Sequence, residues 1–207
     1  MLSEKNKKVI LNIISVILVI SLILVIANIF VFKLYSSIFW LCYTAMLLIM
    51  LGILKKKSYL ILSQIMILAI PDFLWIIDFI YILITGNSVL NLSSYFFQPR
   101  PLLAKLVSLQ HLYVIPLALF ALYIVKIDRK KLALKFAAVQ LLVFLFLSRT
   151  FTPREENINC VYYTCFDLQP LNYLETILPY SFGWVALMFL SALVVYLILI
   201  NIKWFRK

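Results

Sequence analysis

With one histidine in 207 residues, this chain cannot build a multi-histidine metal site, and no HExxH pattern surrounds His111. Three glycines are too few for a Gly-rich phosphate loop, and they limit close helix packing of the small-residue type. Three cysteines form no paired metal or redox motif. The alternation of apolar and polar residues that marks barrel strands is also missing. Acidic residues number eight against nineteen basic ones. What the chain has in abundance is apolar length. Hydrophobic residues make up 65% of it and the mean hydropathy is +1.07, which points to lipid as the solvent for most of its surface.

Crossing the hydrocarbon takes about 20 apolar residues. Six runs meet that need, at 9–32, 34–54, 59–84, 102–127, 132–151 and 179–202, and backbone satisfaction in lipid makes them helices. The sequence therefore predicts an all-α polytopic bundle of six transmembrane helices, folded as a single integral membrane domain over 1–207. The weakest division is Lys33-Leu34-Tyr35-Ser36-Ser37, between the first two runs. Fusing them would give a helix of roughly 69 Å, far longer than the membrane is thick. The N-terminal run is too long for a secretory signal and is expected to remain as the first helix.

The net charge of +11 does not mark a nucleic-acid binder, because its distribution follows the spans. Fourteen of the nineteen basic residues fall in four clusters: at 5–8, 55–57, 126–135 and 203–207. These clusters alternate with basic-poor connections, which assigns them to the cytoplasm together with both termini. Membrane lipids are the expected partners, since a basic rim attracts anionic headgroups.

Charged groups at mid-membrane cost about 2.5–3.5 kcal/mol on insertion scales, so Asp72, Asp78 and His111 stand out. Counting 1.5 Å per residue from the outer helix ends puts Asp78 roughly 9 Å deep, His111 roughly 14 Å, Gln140 roughly 17 Å and Asp72 roughly 18 Å. Polar groups on three helices thus share one layer, with Arg149 and an external loop, 152–178, above it. That loop carries Arg154, Glu155, Glu156, Asn157, Asn159, Asp167 and Glu175. Pro71 is expected to kink the third helix, and Pro116 the fourth. The connection 86–101 is rich in aromatics and is expected to lie in the interface with its rings toward lipid.

Two carboxylates with an imidazole are the minimal set for general acid–base chemistry. Asp72, Asp78 and His111 are accordingly the candidate catalytic residues. Arg149, Arg154, Gln140, Asn157 and Asn159 are candidates for holding a substrate headgroup. A divalent metal on Asp72, Asp78 and His111 is the only cofactor the residues suggest, and without a second spaced His the pattern for it is weak. The same polar groups equally suit helix–helix hydrogen bonding. Cys42 reads as packing, while Cys160 and Cys165 are a candidate disulfide in the external loop.

Pro71-Asp72, Trp75, Asp78-Phe79 and Thr85-Gly86, with His111, Pro116, Asp128-Arg129, Phe151-Thr152-Pro153 and Glu156-Asn157-Ile158-Asn159, make up a distinctive pattern. It resembles that of a family of small, uncharacterised bacterial multi-pass membrane proteins. The resemblance covers most of the chain beyond the first two helices, and Glu-Asn-Ile-Asn is its most specific part. In the family pattern a Trp and a glycine-bearing turn follow; here Cys160 and Val161–Cys165 stand there instead. The resemblance implies residence in the bacterial cytoplasmic membrane and supports the polar layer, but carries no reaction. The residues themselves favour a membrane-embedded enzyme acting on a lipid-like substrate from the outer leaflet. The alternatives are a small proton-coupled transporter and a structural or assembly subunit.

Overall fold

The computed structural model describes residues 3–165 and 179–206. Among these the secondary structure is helical: α1 (Glu4–Val31), α2 (Leu41–Leu54), α3 (Ser58–Thr85), α4 (Ser94–Phe97), α5 (Leu102–Ser108), α6 (Gln110–Val125), α7 (Lys130–Phe151) and α8 (Tyr180–Asn201), with short 3-10 turns between. An isolated parallel bridge joins Ile127 to Arg206. Five helical segments are long and apolar enough to cross a membrane: α1, α3, the α5–α6 pair, α7 and α8. Their outward faces are apolar, with Ile84 79% and Leu102 73% exposed. A water-soluble surface does not tolerate such faces over a whole bundle. These features describe an integral membrane protein.

The run 34–54 does not form one long helix. It starts as a 3-10 turn, Tyr35–Phe39, becomes extended at Trp40 (φ −63°, ψ 126°) and only then enters α2. At 14 residues α2 is about 21 Å long, short of the roughly 30 Å hydrocarbon core. The break exists because Asn159, from far along the chain, supplies what the open helix end lacks. Its Oδ1 accepts the Leu41 amide at 2.9 Å, and its Nδ2 donates to the Phe39 carbonyl at 2.7 Å.

Helix α3 is the central strut, and it packs against α2, α6, α7 and α8. It runs unbroken through Pro71, with no π turn. Gly86 ends it in the left-handed conformation (φ 75°), where a Cβ would be strained. Gly52 is needed for a different reason. A Cβ there would come within 2.7 Å of Ile61 Cγ1, so the α2–α3 hairpin closes only over a glycine. The run 102–127 divides at Leu109 into α5 and α6, rather than bending first at Pro116. Just before that joint Ser108 returns its hydroxyl to the Ala104 carbonyl at 3.0 Å, a back-bond that bends helices.

One cluster of buried apolar side chains runs through all the long helices. Within it Gln64 and Gln140 exchange amide hydrogen bonds of 2.8 and 2.9 Å, cross-linking α3 to α7. At one end of the bundle the Ser58 hydroxyl bonds the Asp128 carboxylate, and Ile127 donates to the Phe205 carbonyl. At the opposite end the segment after α7 folds over the bundle, and Cys160 and Cys165 are joined by a disulfide. Asp167 and Glu175 lie outside the described residues.

Candidate functional site

Asp72 faces inward from the middle of α3, and His111 sits in the first turn of α6. The joint at Leu109 brings His111 Nδ1 to 2.8 Å from Asp72 Oδ1. The carboxylate is almost wholly buried, and the imidazole is partly accessible. Trp75, one turn beyond Asp72, stacks on the imidazole with centroids 5.0 Å apart and stacks in turn on Phe79. The ring is thus held by a hydrogen bond at one edge and an indole on its face. With Nδ1 engaged, Nε2 has no hydrogen-bond partner among the described residues, which leaves it available to a ligand.

The sequence reading placed Asp72 and Asp78 in one acid–base pair; the structure gives them separate partners. Both Asp78 oxygens are committed to the connection after α3. Oδ1 accepts from the Ser88 hydroxyl and the Val89 and Leu90 amides. Oδ2 accepts from the Leu92 and Ser93 amides and the Ser93 hydroxyl. All six bonds fall between 2.6 and 3.0 Å. Asp78 is fully buried, and its carboxylate is satisfied by this ring of neutral donors, with no cation paired to it among the described residues. Its role is to fold the segment that leads into α4.

That segment also departs from expectation. Its rings turn back onto α3, Phe97 alone of the three staying exposed: Phe96 and Phe97 pack on Phe79 at 5.1 and 5.3 Å, and Trp75 Nε1 donates to the Tyr95 hydroxyl at 3.1 Å. Burial raises the Tyr95 phenol above its ordinary range, so it stays neutral and available as the acceptor. Aromatic packing on Trp75, reinforced by Asp78, therefore ties this connection to the imidazole.

The other candidates are distributed. Gln140 is paired with Gln64 away from the imidazole. Arg149 is exposed, lies over the Tyr162 ring at 5.3 Å and bonds the Ser181 hydroxyl. Arg154 is exposed in a 3-10 turn. The Asn157 amide folds its own loop, accepting from the Tyr162 amide at 3.0 Å and donating to the Tyr163 carbonyl at 2.9 Å. Asn159 braces the Trp40 break and reaches the Ser148 hydroxyl at 3.0 Å. No three His, Cys, Asp or Glu side chains are grouped to hold a metal ion among the described residues. Asp78, in particular, has no free oxygen to offer.

Asp72 and His111 line a cavity of about 450 Å³, within the range of small-molecule sites. Its remaining wall is largely apolar and comes from α3, the Trp40–Cys42 break, the Asn159–Thr164 loop and one side of α8. Asn159 thus reaches the cavity as part of its wall while its amide groups are engaged elsewhere. Among the wall residues, Trp184 and Gly183 escaped the sequence reading, and Cys42 was read only as packing. Trp184 is 4% exposed and donates its Nε1 to the Asn159 carbonyl at 2.8 Å. Cys42 receives a hydrogen bond from Gln110 Nε2 at 3.4 Å. For Gly183, a glycine inside an apolar helical pattern was the one signal that could have flagged it. No family model, no curated protein and no solved structure matches this chain.

Proposed function

We propose that the protein is a membrane-embedded enzyme acting on a lipid-like substrate at the cavity bounded by Asp72 and His111. The observation that carries this reading is a buried Asp72 paired at 2.8 Å with a partly accessible His111, set in the wall of an otherwise largely apolar chamber inside a bundle of membrane-length helices. In this arrangement Asp72 accepts the Nδ1 proton and fixes the imidazole tautomer. Nε2 then takes a proton from a hydroxyl group or a water, and the carboxylate stabilises the imidazolium that results. Trp75 restricts ring rotation, and Asp78 acts at one remove by holding the aromatic segment against Trp75.

The proposal includes the topology read from charge: six passes, with α2 and its 3-10 lead-in as the second, and both termini in the cytoplasm. It also includes residence in a bacterial cytoplasmic membrane and membership of the small multi-pass family whose signature the sequence resembles. On that topology the disulfide and the cavity lie toward the outer face. The outer side is where a disulfide persists.

The test is turnover by purified protein on a total membrane-lipid extract, read by mass spectrometry. Asp72→Asn and His111→Ala should lose conversion while keeping wild-type circular dichroism. Unchanged conversion in both variants removes the catalytic reading. Proton flux in reconstituted vesicles that disappears in Asp72→Asn, without any lipid conversion, would favour the transporter instead.

A further inference from the structure

The cavity has a direction that the Asp–His pair does not explain. Along α8 its lining runs from Tyr180 to Leu190, ten helical steps, or roughly 15 Å at 1.5 Å per residue. On this stretch Gly183, Ala186, Leu187 and Leu190 recur at helical spacing, so they form one stripe. The stripe lines the cavity and is also open to the outside: Leu187 is 44% and Leu190 58% exposed. In a membrane-length helix that outside is hydrocarbon. The chamber is therefore a slot slit open sideways to the bilayer, with Asp72 and His111 in its wall.

Gly183 shows why the slit stays open. A glycine in a helix interior is destabilising, and where it persists a close approach usually requires it. None is present here: a Cβ built on Gly183 meets no heavy atom of the described residues within 4 Å. The missing side chain leaves free volume beside Trp184 rather than allowing a contact.

We infer that this slot is an acyl-chain subsite, entered laterally past Gly183 by one hydrocarbon chain of a bilayer lipid. The inference rests on the proposed enzymatic site and names the part of the substrate that the α8 side of that site takes. The occupant follows from the wall: it is apolar along the α8 stripe and continuous with the lipid phase, and its polar side chains, Asp72, His111, Asn159, Thr164 and Tyr180, are not part of that stripe. A free water-soluble substrate would meet no polar group along that stripe.

The test uses the full-length protein in phosphatidylcholine vesicles whose chains carry bromine at mid-length, against the same lipid without bromine. Bromine quenches tryptophan fluorescence on contact. Trp184 is buried by protein, so a chain reaches its ring only inside the slot. The Trp184→Phe variant identifies its share of the quenching. The wild type and Gly183→Ala should show that share, because the methyl group leaves the slot open. Gly183→Phe should lose it while keeping wild-type circular dichroism, and Ala186→Phe plugs the same slot should Gly183→Phe not fold. Quenching of Trp184 that is absent in the wild type, or unchanged in the plugged variants, overturns the inference. Asp72→Asn separates it from the catalytic reading, since that variant should keep the quenching and lose turnover. Quenching absent in the wild type with turnover intact defeats only the subsite; quenching present in the wild type with turnover unaffected by Asp72→Asn defeats only the chemistry.

Discussion

Replacing Asp78 by asparagine changes no more than an oxygen for an amide nitrogen, yet the structure makes it a severe substitution. Each carboxylate oxygen accepts three hydrogen bonds from residues 88–93. Asparagine keeps one accepting oxygen and turns an NH2 group toward three donors, which lose their acceptor. Each orphaned donor costs about 1–3 kcal/mol. Water can reach this edge, since Asn87 and Asn91 are exposed, so the sum should settle at about 3–5 kcal/mol, the range for breaking a buried charged contact. At 1.4 kcal/mol per decade, that is a fall of roughly 10²- to 4 × 10³-fold in the closed population of the segment. Amide hydrogen exchange followed by mass spectrometry reads it directly. The Val89, Leu90, Leu92 and Ser93 amides should lose that much protection in Asp78→Asn, while core amides of α3 and α7 keep theirs. A variant in which these four amides remain as protected as in the wild type would refute the anchoring role. Activity alone cannot assign it, because a loosened segment also frees Trp75 beside the imidazole.

The remaining predictions concern packing. Gly52→Ala should lower the unfolding temperature in detergent, because a 2.7 Å contact with Ile61 costs about 1–3 kcal/mol, more than the 0.5–1 kcal/mol gained in helix propensity; an unchanged or raised midpoint would show that the hairpin yields freely. Gln64→Leu and Gln140→Leu should each destabilise by about 1 kcal/mol or more by stranding the partner amide, whereas the double variant should recover most of that loss. Strictly additive effects in this cycle would mean that the two amides do not act as a pair.

Much of the frame could be read from hydropathy, because a membrane-length apolar run leaves the backbone little choice but a helix. Depth counted along two neighbouring helices was enough to put Asp72 and His111 in one layer, where the structure joins them. The same count put Asp78 there too, and missed its partners, since five of its six bonds come from the four amides and the hydroxyl of residues 89–93 and no side-chain pattern announces backbone donors. Gln64 went unnoticed as a lone amide in an apolar stretch, and its significance appears only when Gln140 faces it. The break at Trp40 was illegible for a similar reason. It contains neither glycine nor proline, and the group that stabilises it lies 118 residues away.

That separation has a bearing on biogenesis. At 5–20 residues per second, roughly 6–24 s pass between synthesis of Leu41 and arrival of Asn159. Throughout that interval the amino end of the short helix α2 is unsealed, held only by whatever water or insertion machinery surrounds it. The fastening comes from the last third of the polypeptide. Damage at Asn159 would accordingly surface as an assembly fault in the earliest-made part of the protein.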